Sequence, residues 1–228
     1  MSAMASDFLM IMKKCKTTAA TIGIVLFLCS RFINADPAQQ LIDLLAPLNT
    51  LNGEFQQTLT DANGEVLQES NGVFSLKRPG FFRWQTVEPF PQLLVSNQQT
   101  IWLYDEDLEQ VIVRPYTESI NQTPALLLSG DPNKLSSYYR VQSENINEQE
   151  ITFTLVSNSE ALPTDPTTQP FTQIVLSFNN RQLSAMQLTD TLGQVSSFYF
   201  TDLIVNPVLA SDIFSFTPPP GVDVIVDD

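Results

Sequence analysis

From residue 53 onward apolar and polar residues alternate with a period of two along most of the chain, the pattern of strands with one buried face. Asn71-Gly72-Val73-Phe74-Ser75-Leu76 is one instance. Glu54 to Thr60 reads as a strand, and Asp61-Ala62-Asn63-Gly64 as the turn of a hairpin, since Asn-Gly suits the two left-handed positions of a tight turn. Glu65 to Leu76 is the return strand. Phe81 to Val87, Leu93 to Ser96, Gln99 to Tyr104 and Gln110 to Val113 follow with short turns between them. After a break the pattern resumes at Tyr138 to Gln142, Glu150 to Val156, Thr172 to Phe178, Gln182 to Thr189 and Gln194 to Val205.

Helical spacing occurs twice. Leu41, Leu44, Leu45 and Leu48 make one apolar face over Asp36 to Leu51, with Asp36-Pro37 as cap and first helical position. Pro47 weakens the last turn of that helix. Thr123-Pro124-Ala125-Leu126-Leu127-Leu128 reads as a short helix stopped by Gly130-Asp131-Pro132. Near the end, Ala210 to Phe214 is one helical turn, and Phe216 to Val222 is a stiff, proline-rich extended tail. Glu160 to Gln169 is a Pro/Thr/Asp-rich loop. About ten strands with two short helices make a mainly β (α+β) fold, an antiparallel sheet with helices on one side. A sheet that wide must curl or leave its edges exposed.

The first 35 residues break the β pattern and read as a cleaved signal peptide. Lys13, Lys14 and Lys16 precede an uncharged, mostly apolar run from Thr17 to Leu28, and Ile33-Asn34-Ala35 offers a small residue for cleavage. Cys29 ends the apolar run, but Leu28 is too large for a lipid-attachment signal. Residues 36–228 then form one domain.

Setting the leader aside changes the chemistry. Cys15 and Cys29 both lie inside it, so the remainder has no thiol and no disulfide. The leader's four basic residues against Asp7 give it +3, so the 193 residues after it carry −17 where the whole 228-residue chain carries −14. That surface argues against nucleic acid and anionic membrane surfaces as partners. With no histidine anywhere, imidazole catalysis and histidine metal ligation are excluded. There is no phosphate-cradling glycine motif. Asp105-Glu106-Asp107 lacks the spacing of a calcium loop and reads as a solvated turn. A binding protein without catalysis, cofactor or metal is the expectation.

One stretch stands out against this acidic background. Leu76-Lys77-Arg78-Pro79-Gly80-Phe81-Phe82-Arg83-Trp84 holds three of the seven basic residues beyond the leader and joins two strands through a Pro-Gly turn. An arginine among so many aromatics needs carbonyl or carboxylate partners.

That stretch, with Phe55-Gln56-Gln57, Asp61-Ala62-Asn63-Gly64, Leu94-Val95-Ser96, Ile101-Trp102-Leu103-Tyr104, Leu108-Glu109-Gln110, Asn121-Gln122-Thr123-Pro124 and the ending Phe214-Ser215-Phe216-Thr217-Pro218-Pro219-Pro220-Gly221-Val222, resembles the periplasmic outer-membrane lipoprotein carrier family, LolA. The resemblance covers nearly all of the chain after the leader. It implies an incomplete, strongly curved antiparallel β-barrel with a lid of short helices over an apolar cavity. It also implies a soluble periplasmic monomer of a Gram-negative bacterium, without cofactor. Such a carrier takes the acyl chains of lipoproteins from an inner-membrane ABC transporter to an outer-membrane acceptor lipoprotein. In its terms Arg78 is a latch bonding lid carbonyls near Leu45, Leu128 and Ser129. Phe55, Phe82 and Trp84 line the acyl-chain cavity, joined by Leu41, Leu44, Leu93, Trp102 and Leu127. The same barrel also serves sensor domains that bind lipoproteins without ferrying them, and a shuttle for a glycolipid or other amphiphile needs the same cavity.

Overall fold

The computed structural model describes residues 36–116, 124–157 and 171–227. The expected signal peptide, Asn121, Gln122 and Thr123 of the family-like stretch, and the 160–169 loop lie outside the described residues. Twelve strands form one sheet: β1 Thr50–Thr60, β2 Val66–Lys77, β3 Phe81–Glu88, β4 Gln92–Asn97, β5 Thr100–Asp105, β6 Gln110–Pro115, β7 Tyr139–Asn145, β8 Glu150–Ser157, β9 Phe171–Asn179, β10 Gln182–Asp190, β11 Val195–Val205 and β12 Asp223–Val226. Their spatial order is β12-β6-β5-β4-β3-β2-β1-β11-β10-β9-β8-β7. The two ends do not pair with each other, so the barrel is open. Every neighbouring pair is antiparallel except β12, which runs parallel to β6.

Three helices accompany the sheet: α1 Pro37–Leu45, α2 Pro124–Ser129 and α3 Leu135–Tyr138. α1 is capped by Asp36, whose side chain accepts from the Ala38 N–H at 3.2 Å. It stops before Pro47, and β1 begins at Thr50, so the helix is shorter than the leucine spacing predicts. The 3₁₀ turn at Pro132–Lys134 and the short α3 that follows it have no apolar period, and the sequence reading passed over them. The Asn-Gly hairpin forms as expected: Asp61 accepts from the N–H groups of Asn63 (2.9 Å) and Glu65 (2.8 Å), and Gly64 takes φ +86°.

One face of the sheet carries the core. Leu51, Phe55, Phe74, Phe82, Trp84, Phe153, Leu155, Leu176, Phe178, Met186 and Phe198 pack into one cluster with Leu41, Leu44 and Leu45 of α1 and Ala125, Leu127 and Leu128 of α2. The sheet curls so far that Leu103 of β5 and Phe171 of β9 line a common cavity, although six strands separate them in the order. Both helices lie on that concave side.

The other face is bare in places and covered in one. Residues after β11 cross the outside of β3–β6: Phe81 meets Phe214 at 5.7 Å between ring centroids, and Tyr104 meets Phe216 at 5.6 Å. β12 then pairs along β6, and Asp227 bonds Arg114 at 2.9 Å. The expected extended tail is therefore a strap that ends as a strand. A four-residue strand, fully exposed on its side chains, has no alternation long enough to predict.

Candidate functional site

Trp84 is the hub of the concave face. Its ring stacks on Phe55 at 4.5 Å and Phe74 at 5.1 Å, and meets Phe198 at 5.8 Å and Phe200 at 6.5 Å edge-on. Antiparallel register explains the assembly, because Phe55 pairs with Gly72 and with Phe200, and Phe74 pairs with Trp84. Gly72 is what lets Phe55 lie flat on β2: a Cβ there would stand 2.7 Å from the Phe55 ring and 2.0 Å from the Gln85 carbonyl oxygen.

Beside this floor lies a cavity of about 270 Å³, lined by Trp84, Leu94, Leu103, Ala125, Leu188 and Phe198 among others. Gln57, Thr86, Gln92 and Ser196 supply the polar part of its lining. A larger open depression of about 700 Å³ lies on the outer face, lined mostly by polar groups such as Glu54, Glu69 and Glu88, with Val73, Val87 and Pro89 among them.

The predicted cavity residues separate into three groups. Trp84 lines the cavity. Phe55, Phe82, Leu41, Leu44 and Leu127 sit in the closed core between sheet and helices, with Phe82 and Leu41 fully buried, and would face a cavity only if the helices moved. Leu93 and Trp102 are a correction. Leu93 pairs with Tyr104 and Trp102 with Val95, one residue out of step with the inward row Trp84–Leu94–Leu103, so both point to the outer face, where the strap packs against β4. With a side-chain period of two, picking the neighbour of the right residue picks the wrong face. The cavity residues missed in the sequence, Leu94, Leu103, Phe171, Leu188 and Phe198, carry the same alternation as the rest; only the register assigns them.

The roof is tied down at the turn between β2 and β3. Arg78 donates from Nε to the Leu128 carbonyl at 3.0 Å and from a terminal nitrogen to the Leu45 carbonyl. One guanidinium therefore holds the C-terminal ends of α1 and α2, where the carbonyls lack helical donors. The Ser129 carbonyl, expected to serve Arg78 as well, accepts instead from the Gly80 backbone N–H at 3.0 Å, and the Arg78 N–H donates to Asn49 O at 2.9 Å. Gly80 has φ +71°, and a Cβ there would meet the Tyr116 hydroxyl at 2.5 Å, so the turn needs glycine twice over. Burial draws the Arg78 pKa down to about 10, opposed by the nearby Asp131 carboxylate. The group is thus fully charged at neutral pH.

An open, curled sheet with an aromatic floor, an apolar hole beside it and two helices bonded to it through one arginine is the architecture of a binding protein with a sheltered apolar site. Comparison with known proteins makes the assignment specific. The LolA family model, described as outer membrane lipoprotein carrier protein, matches residues 46–217. The outer-membrane lipoprotein carrier protein of Pseudomonas aeruginosa is 41% identical over 189 residues, 82% of this chain and 86% of the relative. That of Alcanivorax borkumensis is 35% identical over 214 residues, 94% and 98% of the two chains. The fold is also similar to the crystal structure of an uncharacterized conserved protein from Thermus thermophilus (TM-score 0.50, 14% identity, covering 83% of this chain and 99% of that one). The chain belongs to the LolA family of outer-membrane lipoprotein carrier proteins.

Proposed function

We propose that this protein carries lipoproteins across the periplasm, shielding their acyl chains in the cavity between the sheet and the two helices. It receives them from an inner-membrane ABC transporter and gives them to an outer-membrane acceptor lipoprotein. The observation that carries the reading is the single arginine clamping both helices over an apolar floor, in a chain of this family. Transfer of acyl chain to water costs about 0.8 kcal/mol per methylene, so a chain of about fourteen carbons costs on the order of 11 kcal/mol. Diffusion between membranes therefore needs a sheltering protein. Release needs the opposite, a cavity that does not hold at full hydrophobic strength. Bonds from a charged donor, about 1.5–3 kcal/mol each, favour the closed, empty form and so oppose retention.

The test is release of a radiolabelled triacylated lipoprotein from spheroplasts by the purified protein, with mass spectrometry of the soluble product. A one-to-one soluble complex is the expected result. No release, with a different lipid copurifying from the native host, would replace lipoproteins by another amphiphile as cargo.

A further inference from the structure

The apolar cavity is open on one side and shares part of its lining with a neighbouring compartment. Three of its residues, Gln57, Thr86 and Gln92, also line a second, polar compartment of about 540 Å³ whose walls include Ser70, Asp105 and Asp107. The shared residues form a collar between an apolar hole and an outer vestibule. Their hydrogen bonds fix what the collar presents. Gln57 accepts through Oε1 from the Ser70 hydroxyl at 3.3 Å, which leaves its NH₂ to donate. Gln92 donates through Nε2 to Asp105 Oδ2 at 3.0 Å, which leaves its Oε1 to accept. With the Thr86 hydroxyl, the collar offers a neutral donor, a neutral acceptor and a group that can be either.

Charge then separates candidates. Among the described residues no lysine or arginine lines either compartment, while Asp105 and Asp107 stand at the outer one. Phe90 and Leu108, exposed on neighbouring turns, add apolar surface to the same wall. An ester or amide joined to an acyl chain meets complementary groups at the collar. A phosphate in the same place meets two carboxylates and no counter-charge.

We infer that this two-compartment entrance selects among amphiphiles by the charge of the polar end: it admits the ester- and amide-linked acyl ends of a lipidated peptide and turns away phosphate-headed lipids of the same chain length. The inference rests on the carrier reading and names what keeps the carrier from filling with the phospholipid that surrounds its cargo.

The test uses two probes that share one tail, 1-myristoylglycerol and 1-myristoylglycerol 3-phosphate, titrated calorimetrically as monomers into the purified protein. At low salt the neutral probe is expected to bind about tenfold more tightly, the order of effect that two nearby carboxylates have on a doubly charged phosphate in water. Raising salt to about 1 M shortens the screening length to roughly 3 Å and should close most of that gap. The D105N/D107N double variant should close it at low salt, and Asp107→Lys alone, in an exposed turn, should narrow it. Equal binding of the two probes to the unaltered protein overturns the inference and leaves the carrier reading standing. A gap that survives both high salt and the substitutions also overturns it, since exclusion would then be by shape. Failure of both probes to bind overturns the inference, and the spheroplast assay then decides the carrier reading separately.

Discussion

Arg78 and Leu128 are joined across 50 residues of sequence by one bond, from the guanidinium Nε to the carbonyl oxygen at 3.0 Å. The same guanidinium reaches the Leu45 carbonyl, so a single side chain bonds the C-terminal ends of both helices. Removing it with Arg78→Leu strands two carbonyls and removes a half-buried charge, effects of opposite sign. The expected balance favours the open form by about 2 kcal/mol, read as roughly thirtyfold faster amide exchange in α1 and α2 with β10 and β11 unchanged. Arg78→Lys keeps the charge without the fork and should restore only part of the protection. In the spheroplast assay Arg78→Leu should retain cargo and deliver it poorly; normal delivery would sink the latch role.

Gly72 and Phe55 give a test of packing. Gly72→Ala puts a methyl 2.0 Å from the Gln85 carbonyl and 2.7 Å from the Phe55 ring, so the ring that supports Trp84 must move. A loss of about 2 kcal/mol is expected, a fall in Tm of roughly 4–8 °C. Gly64→Ala, with nothing within 4 Å but a φ of +86°, should cost only about 1 kcal/mol of backbone strain and leave probe binding untouched.

The two tryptophans report on opposite faces. An acyl probe entering the cavity should change the emission of Trp84 and not that of Trp102. Trp102→Phe should therefore keep the binding signal, and Trp84→Phe should abolish it. A signal that follows Trp102 instead would place the ligand outside the concave face.

Tyr139 sets an alkaline limit. Its phenol is buried, and desolvation raises its pKa well above the ordinary value of 10.0. A raised acid pKa holds the proton in the folded chain after the unfolded chain has lost it. The stability it supports is therefore complete below about pH 10 and declines as pH rises further. Denaturant midpoints should fall above pH 10, and Tyr139→Phe should flatten that fall. An equal slope in the variant would assign it elsewhere.

Where the chain alternates over several residues, most strands could be read from sequence to within a residue or two, as around the Asp61-Ala62-Asn63-Gly64 hairpin, but β1 starts four residues before the predicted Glu54 and β7 ends three after the predicted Gln142. The latch was legible for a different reason. An arginine beside Pro-Gly and three aromatics has few ways to satisfy its donors, and family likeness named the carbonyls; only the backbone could show that Ser129 O goes to Gly80 rather than to Arg78. The cavity wall was half legible. Alternation says that every second residue of β4 and β5 faces inward but not which set, and only the register puts Leu94 and Leu103 inward and Leu93 and Trp102 outward. The pairing of β12 with β6 depends on a contact more than a hundred residues away, which no local pattern carries.

The strap over the outside of β3–β6 has a mechanical consequence. Those strands carry Trp84 on their front, Arg78 at their end and the Phe214 and Phe216 segment across their back. They form a door frame braced from behind, whereas α1 and α2 are braced on one side alone, by their buried leucines and the Arg78 bonds. Were the helices to move on the proposed carrier reading, the frame would keep its shape, and each catch on it would stay in the same position for the next closing.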